Sequence, residues 1–180
     1  LGYIFTNAFS YSGMFCFLTS GSLVYTGVYG VAPKNFGYFF ILNIGVMMIA
    51  TFLGGRFVGR LGTERILRIG LWIQLIMGIY LAFCAFFHWG LWPSAIGIAL
   101  YVGMVSIVSS NANAAVLELF PRTAGTANSL IGMFRFAIGA GIGAILALFS
   151  VETEQPMLFS ITLCILISVG MYKGLVRSKR

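Results

Sequence analysis

Phe36-Gly37-Tyr38-Phe39-Phe40-Ile41-Leu42-Asn43-Ile44-Gly45-Val46-Met47-Met48-Ile49-Ala50-Thr51-Phe52-Leu53-Gly54-Gly55 carries no charge, and a cluster of four arginines, Arg56, Arg60, Arg65 and Arg68, follows it. A helix needs about 20 apolar residues to cross a ~30 Å hydrocarbon core. A run of this length and purity, with cations massed at one end, reads as a membrane span whose basic flank stays on the cytoplasmic side.

The rest of the chain repeats the pattern. Of its 180 residues 59% are hydrophobic and 8% charged, and the mean hydropathy is +0.98. A soluble domain carries about 25% charged residues, so the bilayer is the solvent this composition requires. Six spans are expected, at about 3–27, 36–58, 66–88, 91–117, 124–148 and 157–175. Gly30 to Asn35, Gly59 to Arg65, His88 to Pro93, Phe120 to Arg122 and Ser150 to Pro156 punctuate them. Trp89 and Trp92 stand where an interfacial belt belongs.

Of the eleven Lys and Arg, nine fall on the face shared by the 56–68 loop, Arg122 and the tail (Lys173, Arg177, Lys179, Arg180), Lys34 falls on the other, and Arg135 lies in mid-span. The bias puts both ends in the cytoplasm. A net charge of +7 distributed this way is a topology signal rather than a nucleic-acid patch. Cys16, Cys84 and Cys164 sit inside apolar runs with no metal-ligand spacing, so neither zinc nor a disulfide framework is indicated, and no cofactor is expected. The chain opens at Leu1 without a basic n-region or cleavage site and reads as a piece of something longer.

Spans one and four are the polar ones. Ser12, Thr19, Ser22 and Thr26 form one helical stripe on the first, with Tyr11, Phe15 and Tyr25 beside it. The fourth carries Ser106, Ser109, Ser110 and Asn113, continuing a ridge of Ala95, Ala99 and Gly103. Single hydroxyls can bond backbone or glue helices; the stripes together point to a wet cavity and to a three-plus-three inverted repeat. The third span is the more uniformly apolar support. The fifth is the packing helix, with small pairs Gly139/Gly143, Ala137/Gly141 and Ala140/Ala144.

Arg135 is the outlier. It lies eleven residues beyond Ala124, or ~16 Å at 1.5 Å per residue, in mid-membrane. Placing Arg there costs ~2.5–3.5 kcal/mol on insertion scales, so an intramembrane charge is a functional hypothesis by default. Asn128, Gly132, Arg135 and Gly139 share a stripe that turns it toward protein. The acidic residues are Glu64, Glu118, Glu152 and Glu154, all near a membrane face, so none can carry a proton at mid-membrane or pair with Arg135. His88 is an interfacial turn residue.

Gly55-Arg56-Phe57-Val58-Gly59-Arg60-Leu61-Gly62-Thr63-Glu64-Arg65 resembles the major-facilitator loop signature Gly-x-x-x-Asp-Arg-x-Gly-Arg-Arg/Lys in its degenerate second-half form. Gly55, Arg60 and Gly62 match, Gly59 replaces the Asp, and Arg65 comes one place late. Ser12-Gly13-Met14-Phe15-Cys16-Phe17-Leu18, Val31-Ala32-Pro33-Lys34-Asn35-Phe36-Gly37-Tyr38, Gly70-Leu71-Trp72-Ile73-Gln74 and Phe120-Pro121-Arg122-Thr123-Ala124-Gly125-Thr126-Ala127 are similar to the second half of the bicyclomycin/chloramphenicol-resistance exporters. The resemblance implies the C-terminal half of a twelve-helix drug:proton antiporter of the bacterial inner membrane, working by alternating access, its titrating acid on the absent half. The implied partners are an N-terminal six-helix half, drug-like small molecules, protons and the bilayer.

On this reading Tyr11, Phe15, Thr19, Met47, Ser106, Ser109 and Arg135 line the substrate cavity. Gly55, Arg60, Gly62, Arg65 and Glu118 form a cytoplasmic gating loop, with Arg60 within reach of Glu118 in at least one state. Two other readings stand beside it. A structural six-span subunit accounts for the small-residue packing but not for Arg135. An intramembrane serine protease needs Gly-x-Ser-Gly and a mid-span His; Ser10-Tyr11-Ser12-Gly13 lacks the first Gly and His88 sits in a turn.

Overall fold

A computed structural model describes residues 2–149 and 153–176, leaving Glu152, Arg177, Lys179 and Arg180 outside the described residues. These residues form six α-helices and no strand. They are α1 (Gly2–Leu23), α2 (Pro33–Leu61), α3 (Thr63–Phe87), α4 (Leu91–Leu119), α5 (Ala124–Ala147) and α6 (Gln155–Met171). A wider π-helical turn follows α1 at Val24–Val28 and another follows α6 at Tyr172–Val176, and a 3₁₀ turn, Pro121–Thr123, precedes α5. α2, α3 and α4, together with α5 joined to its leading 3₁₀ turn and α6 joined to its trailing π-helical turn, are long and apolar enough to cross a membrane by length and composition. Thr6, Asn7, Ser10, Ser12, Thr19, Ser20 and Ser22 lower the hydropathy of α1 despite its 22 residues.

Proline and glycine set the helix ends. Pro33 begins α2 at a position where its missing N–H costs nothing. Gly62 alone joins α2 to α3, with φ 80°, a backbone state that a Cβ disfavours. His88 closes α3 in the left-handed region at φ 49°.

The packing has an internal two-fold pattern. α2, α4, α1 and α5 pack side to side in that order, while α3 lies behind α4, α6 behind α1, and α3 against α6. Exchanging α1 with α4, α2 with α5 and α3 with α6 reproduces the same neighbours. Each triplet has an odd number of helices, so the second is inverted relative to the first. Within the described residues α2 and α5 are the least covered: 17% and 22% of their most apolar stretches are buried, against 56% for α4.

Close approach at the centre depends on absent side chains. The Tyr101 hydroxyl sits where a Cβ on Gly13 would be and donates to the Ser10 carbonyl at 3.1 Å, fixing the α1–α4 crossing. Phe15 and Thr19 fill the space over Gly139 and Gly143, where α5 meets α1. Only this pair of the three small-residue pairs packs inward; Ala137, Ala140, Gly141 and Ala144 are exposed. Cys16, Cys84 and Cys164 are free and buried.

At the end holding His88, an aromatic cluster locks α1 to α2, with Tyr25 against Phe17, Phe36 and Phe39 at centroid distances of 6.0, 5.5 and 4.7 Å. Tyr29, past the last turn, donates to Ser94 Oγ at 3.1 Å. Burial pushes its phenol up to about 12, the bond to Ser94 working the other way and the nearby Glu154 charge adding to the rise. His88 is more than an interfacial turn residue: its Nδ1 lies 2.8 Å from Oε1 of the buried Glu154, clasping the α3–α4 turn to the start of α6.

Candidate functional site

Arg135 projects from α5 into a corner made by α1 and α4. Its guanidinium carbon is 4.6 Å above the Tyr11 ring and 5.0 Å from the Phe136 ring. Nη1 donates to Ser109 Oγ at 3.3 Å. Phe15 closes the aromatic wall, 5.7 Å from Tyr11 and 6.0 Å, edge-on, from Phe136. Electron-rich ring faces offset part of the cost of holding a cation away from water. They supply no hydrogen-bond acceptor, and Arg135 Nε is buried without a partner among the described residues. A planar donor array with one edge satisfied by a hydroxyl and another unused is suited to an oxygen acceptor.

A second polar group lies along α4 toward α2. Thr51 Oγ1 donates to the Met47 carbonyl at 2.7 Å and lies 2.8 Å from Ser106 Oγ. Ser106 and Ser109 are three residues apart and face opposite neighbours, so α4 carries a hydroxyl track from α2 to α5. Tyr11, Phe15, Ser109 and Arg135 thus come together, Met47 and Ser106 form the adjoining group, and Thr19 stands apart, exposed, one turn beyond Phe15 against Gly143.

At the opposite end from the aromatic cluster, Gly62, Glu64, Arg65 and Glu118 line a recess of about 770 Å³ with Gly2 and Tyr3. Arg60 and Glu118 are exposed, and among the described residues no ion pair joins them here. Among the described residues nothing lies within 4 Å of where a Cβ on Gly55 would be.

The model of the Major Facilitator Superfamily matches residues 1–144. The chain belongs to this superfamily. It is 50% identical over 172 residues, 96% of its length, to a bicyclomycin resistance protein homolog of Haemophilus influenzae, in agreement with the resemblance carried by its motifs. It is 27% identical over 87% of its length to YdgK of Bacillus subtilis, an uncharacterised transporter of the same type. The chain spans 43% and 39% of these two relatives, less than half of each. No solved structure matches. The superfamily is one of multi-pass membrane transporters, which places the chain among transport proteins rather than enzymes.

Four residues that build or brace this site were not foreseen. Phe136 completes the Arg135 cage, and its position next to the arginine was the available signal. Thr51 lies one turn after Met47. Asn7 Nδ2 donates to Asn113 Oδ1 at 2.8 Å, tying α1 to α4 below the cage. Gln74, on the helix read as an apolar support, accepts from Ser10 Oγ at 2.7 Å. Ser12 departs from the expected stripe: it is fully buried and donates to its own helix at the Ala8 carbonyl, the usual recourse of a hydroxyl in a dry interior. Asn128, grouped with Arg135 by spacing, is exposed.

Proposed function

We propose that this chain is the second half of a twelve-helix, proton-coupled exporter of drug-like small molecules in the bacterial inner membrane, with both of its ends cytoplasmic. The observation that carries the reading is Arg135, a cation in mid-helix held between two aromatic rings with its Nε unpartnered among the described residues. The similarity to a bicyclomycin resistance homolog supports it. Tyr11, Phe15, Phe136 and Met47 supply apolar surface, while Ser106, Ser109, Thr51 and Arg135 orient oxygen-rich substrates, the composition expected of a small-molecule site. Thr19 lines the same side, one turn further along α1.

The partner half would pack on the exposed faces of α2 and α5, including the small-residue face of Ala137, Ala140, Gly141 and Ala144, and would close the cavity. Arg135 then has two roles. It donates to substrate, and its positive field lowers the pKa of a carboxylate on the other half, assisting proton release as substrate or water rearranges. Gly55, Gly62 and Arg65 shape the loop at the other end, and an Arg60–Glu118 latch would form in a different state of the alternating-access cycle.

Drug uptake by inverted vesicles bearing the full-length transporter tests this. Arg135→Lys keeps the charge and loses the planar fork, so it should retain proton coupling better than drug export. Arg135→Ala should lose both. Wild-type export with unchanged pH dependence in Arg135→Ala, in protein that folds and inserts, would sink the site assignment.

A further inference from the structure

On the side of the fold away from Arg135, the seam between α3 and α6 has a polar end and a long dry end. At the polar end Arg68, Leu71, Trp72, Val169, Tyr172 and Lys173 enclose a shallow recess. Lys173, swung outward on the π-helical turn, places its ammonium 5.2 Å over the Trp72 ring. Arg68 is half exposed and meets Glu64 at 3.4 Å. The Tyr172 hydroxyl donates to the same Glu64 oxygen at 3.4 Å. Two cations against one carboxylate leave a surplus positive charge, ringed by an indole and a phenol at the level where a bilayer has its headgroups.

The dry end continues along the same stripe of α3. Trp72, Ile79, Phe83 and Phe86 follow at helical spacing. Ile79, Phe83 and Phe86 line an open recess of about 480 Å³ with Phe159 of α6. The one hydroxyl in its wall, that of Thr162, is turned into the protein, donating to the Gly78 and Leu158 carbonyls at 2.7 and 2.9 Å. The furrow therefore offers an occupant no polar group. From Arg68 to Ile79 is eleven residues, ~16 Å along the helix, about one leaflet of a ~30 Å core.

We propose that the α3–α6 seam holds one anionic phospholipid, its phosphate between Arg68 and Lys173 and one acyl chain running past Trp72 so that its terminal part enters the furrow at Ile79. Charge complementarity selects the headgroup and the dry furrow selects a lipid over a soluble anion. This does not depend on the assignment of Arg135 or on what is exported.

Native mass spectrometry of the full-length transporter, stripped and then supplied with phosphatidylglycerol or phosphatidylcholine, tests the site. At about 1 kcal/mol per basic residue near a membrane surface, two cations should give about a tenfold or greater preference for phosphatidylglycerol. Arg68→Gln with Lys173→Gln should bring the preference to within about twofold of none, whereas Arg56→Gln with Arg122→Gln, the same charge loss on the same face, should leave it intact. Equal loss in both double variants, or loss in neither, overturns the proposal. Ala82→Trp, which fills the furrow and keeps both cations, should weaken retention of long-chain but not of dihexanoyl phosphatidylglycerol; unchanged long-chain retention removes the furrow from the site. Retention of phosphatidylglycerol in millimolar inorganic phosphate supports a lipid, and its displacement would reassign the recess to a soluble anion.

Discussion

α1 and α4 occupy equivalent places in the two triplets, yet their polar side chains point in different directions. On α1, Ser10 reaches back to Gln74 of α3, Ser12 bonds within the helix, and the Thr6 carbonyl accepts from Ser168 of α6 at 2.7 Å. On α4, Ser106 and Ser109 reach sideways to Thr51 and Arg135. The first helix is tied to the rear layer through the Ser10 hydroxyl and the Thr6 carbonyl, and the fourth offers its hydroxyls along the front. Polarity in a span therefore measures how many partners a helix needs, while the bulk of its neighbours decides where they lie. Tyr101 seated over Gly13 makes that decision for α1.

The contrast can be broken where it is strongest. Arg135→Ala removes the group that α4 serves, and losing hydrogen bonds from a charged donor, worth ~1.5–3 kcal/mol, should lower drug export by about tenfold or more, read as initial rate in vesicles. Gly13→Val forces a branched side chain into the Tyr101 ring and should cost ~1–3 kcal/mol of stability with the core overpacked, read as a lower unfolding temperature in detergent. If it unfolds no earlier than the wild type, the α1–α4 crossing is not set by this contact.

Smaller effects sharpen the comparison. Ser10→Ala should cost about 0.6–1.7 kcal/mol, the range of interhelical hydrogen bonds in membranes. Adding Gln74→Leu should recover most of that loss, because removing both partners leaves no buried group unsatisfied. A double variant less stable than the sum of its parts would contradict the rear-layer role of α1. At the low end, Glu118→Arg should change stability by only ~0–1 kcal/mol, as exposed ion pairs do, while shifting the cysteine-accessibility balance between open states. Unchanged labelling would remove Arg60 and Glu118 from the gate.

Much of this was legible in sequence. Uncharged runs, the arginine cluster after Gly55 and the proline and glycine breaks require helices of membrane length in an order that the structure reproduces. Arg135 was legible by depth alone, since an isolated charge in an apolar run has few physical excuses. Orientation was not legible. Ser12 and Thr19 share a stripe, yet one is sealed and the other exposed, because helix spacing gives angle and not the distance to a neighbour. Gln74 was hidden for the same reason: a lone amide in an apolar span looks incidental until Ser10, 64 residues away in the chain, is found against it. Two of the three small-residue pairs on α5 face outward, since composition cannot say which close approach is made within this chain.

The one-residue link at Gly62 has a mechanical consequence. Successive Cα atoms are 3.8 Å apart, so the ends of α2 and α3 stay within about two such steps of each other however the helices tilt. The link acts as a pin joint, free in torsion but fixed in length. Any swing of α2 at its outer face must then be shared by α3 or absorbed in the backbone of Gly62. Since α3 lies in the rear layer against α6, a lever on one side of the molecule is geared to the surrounding membrane on the other.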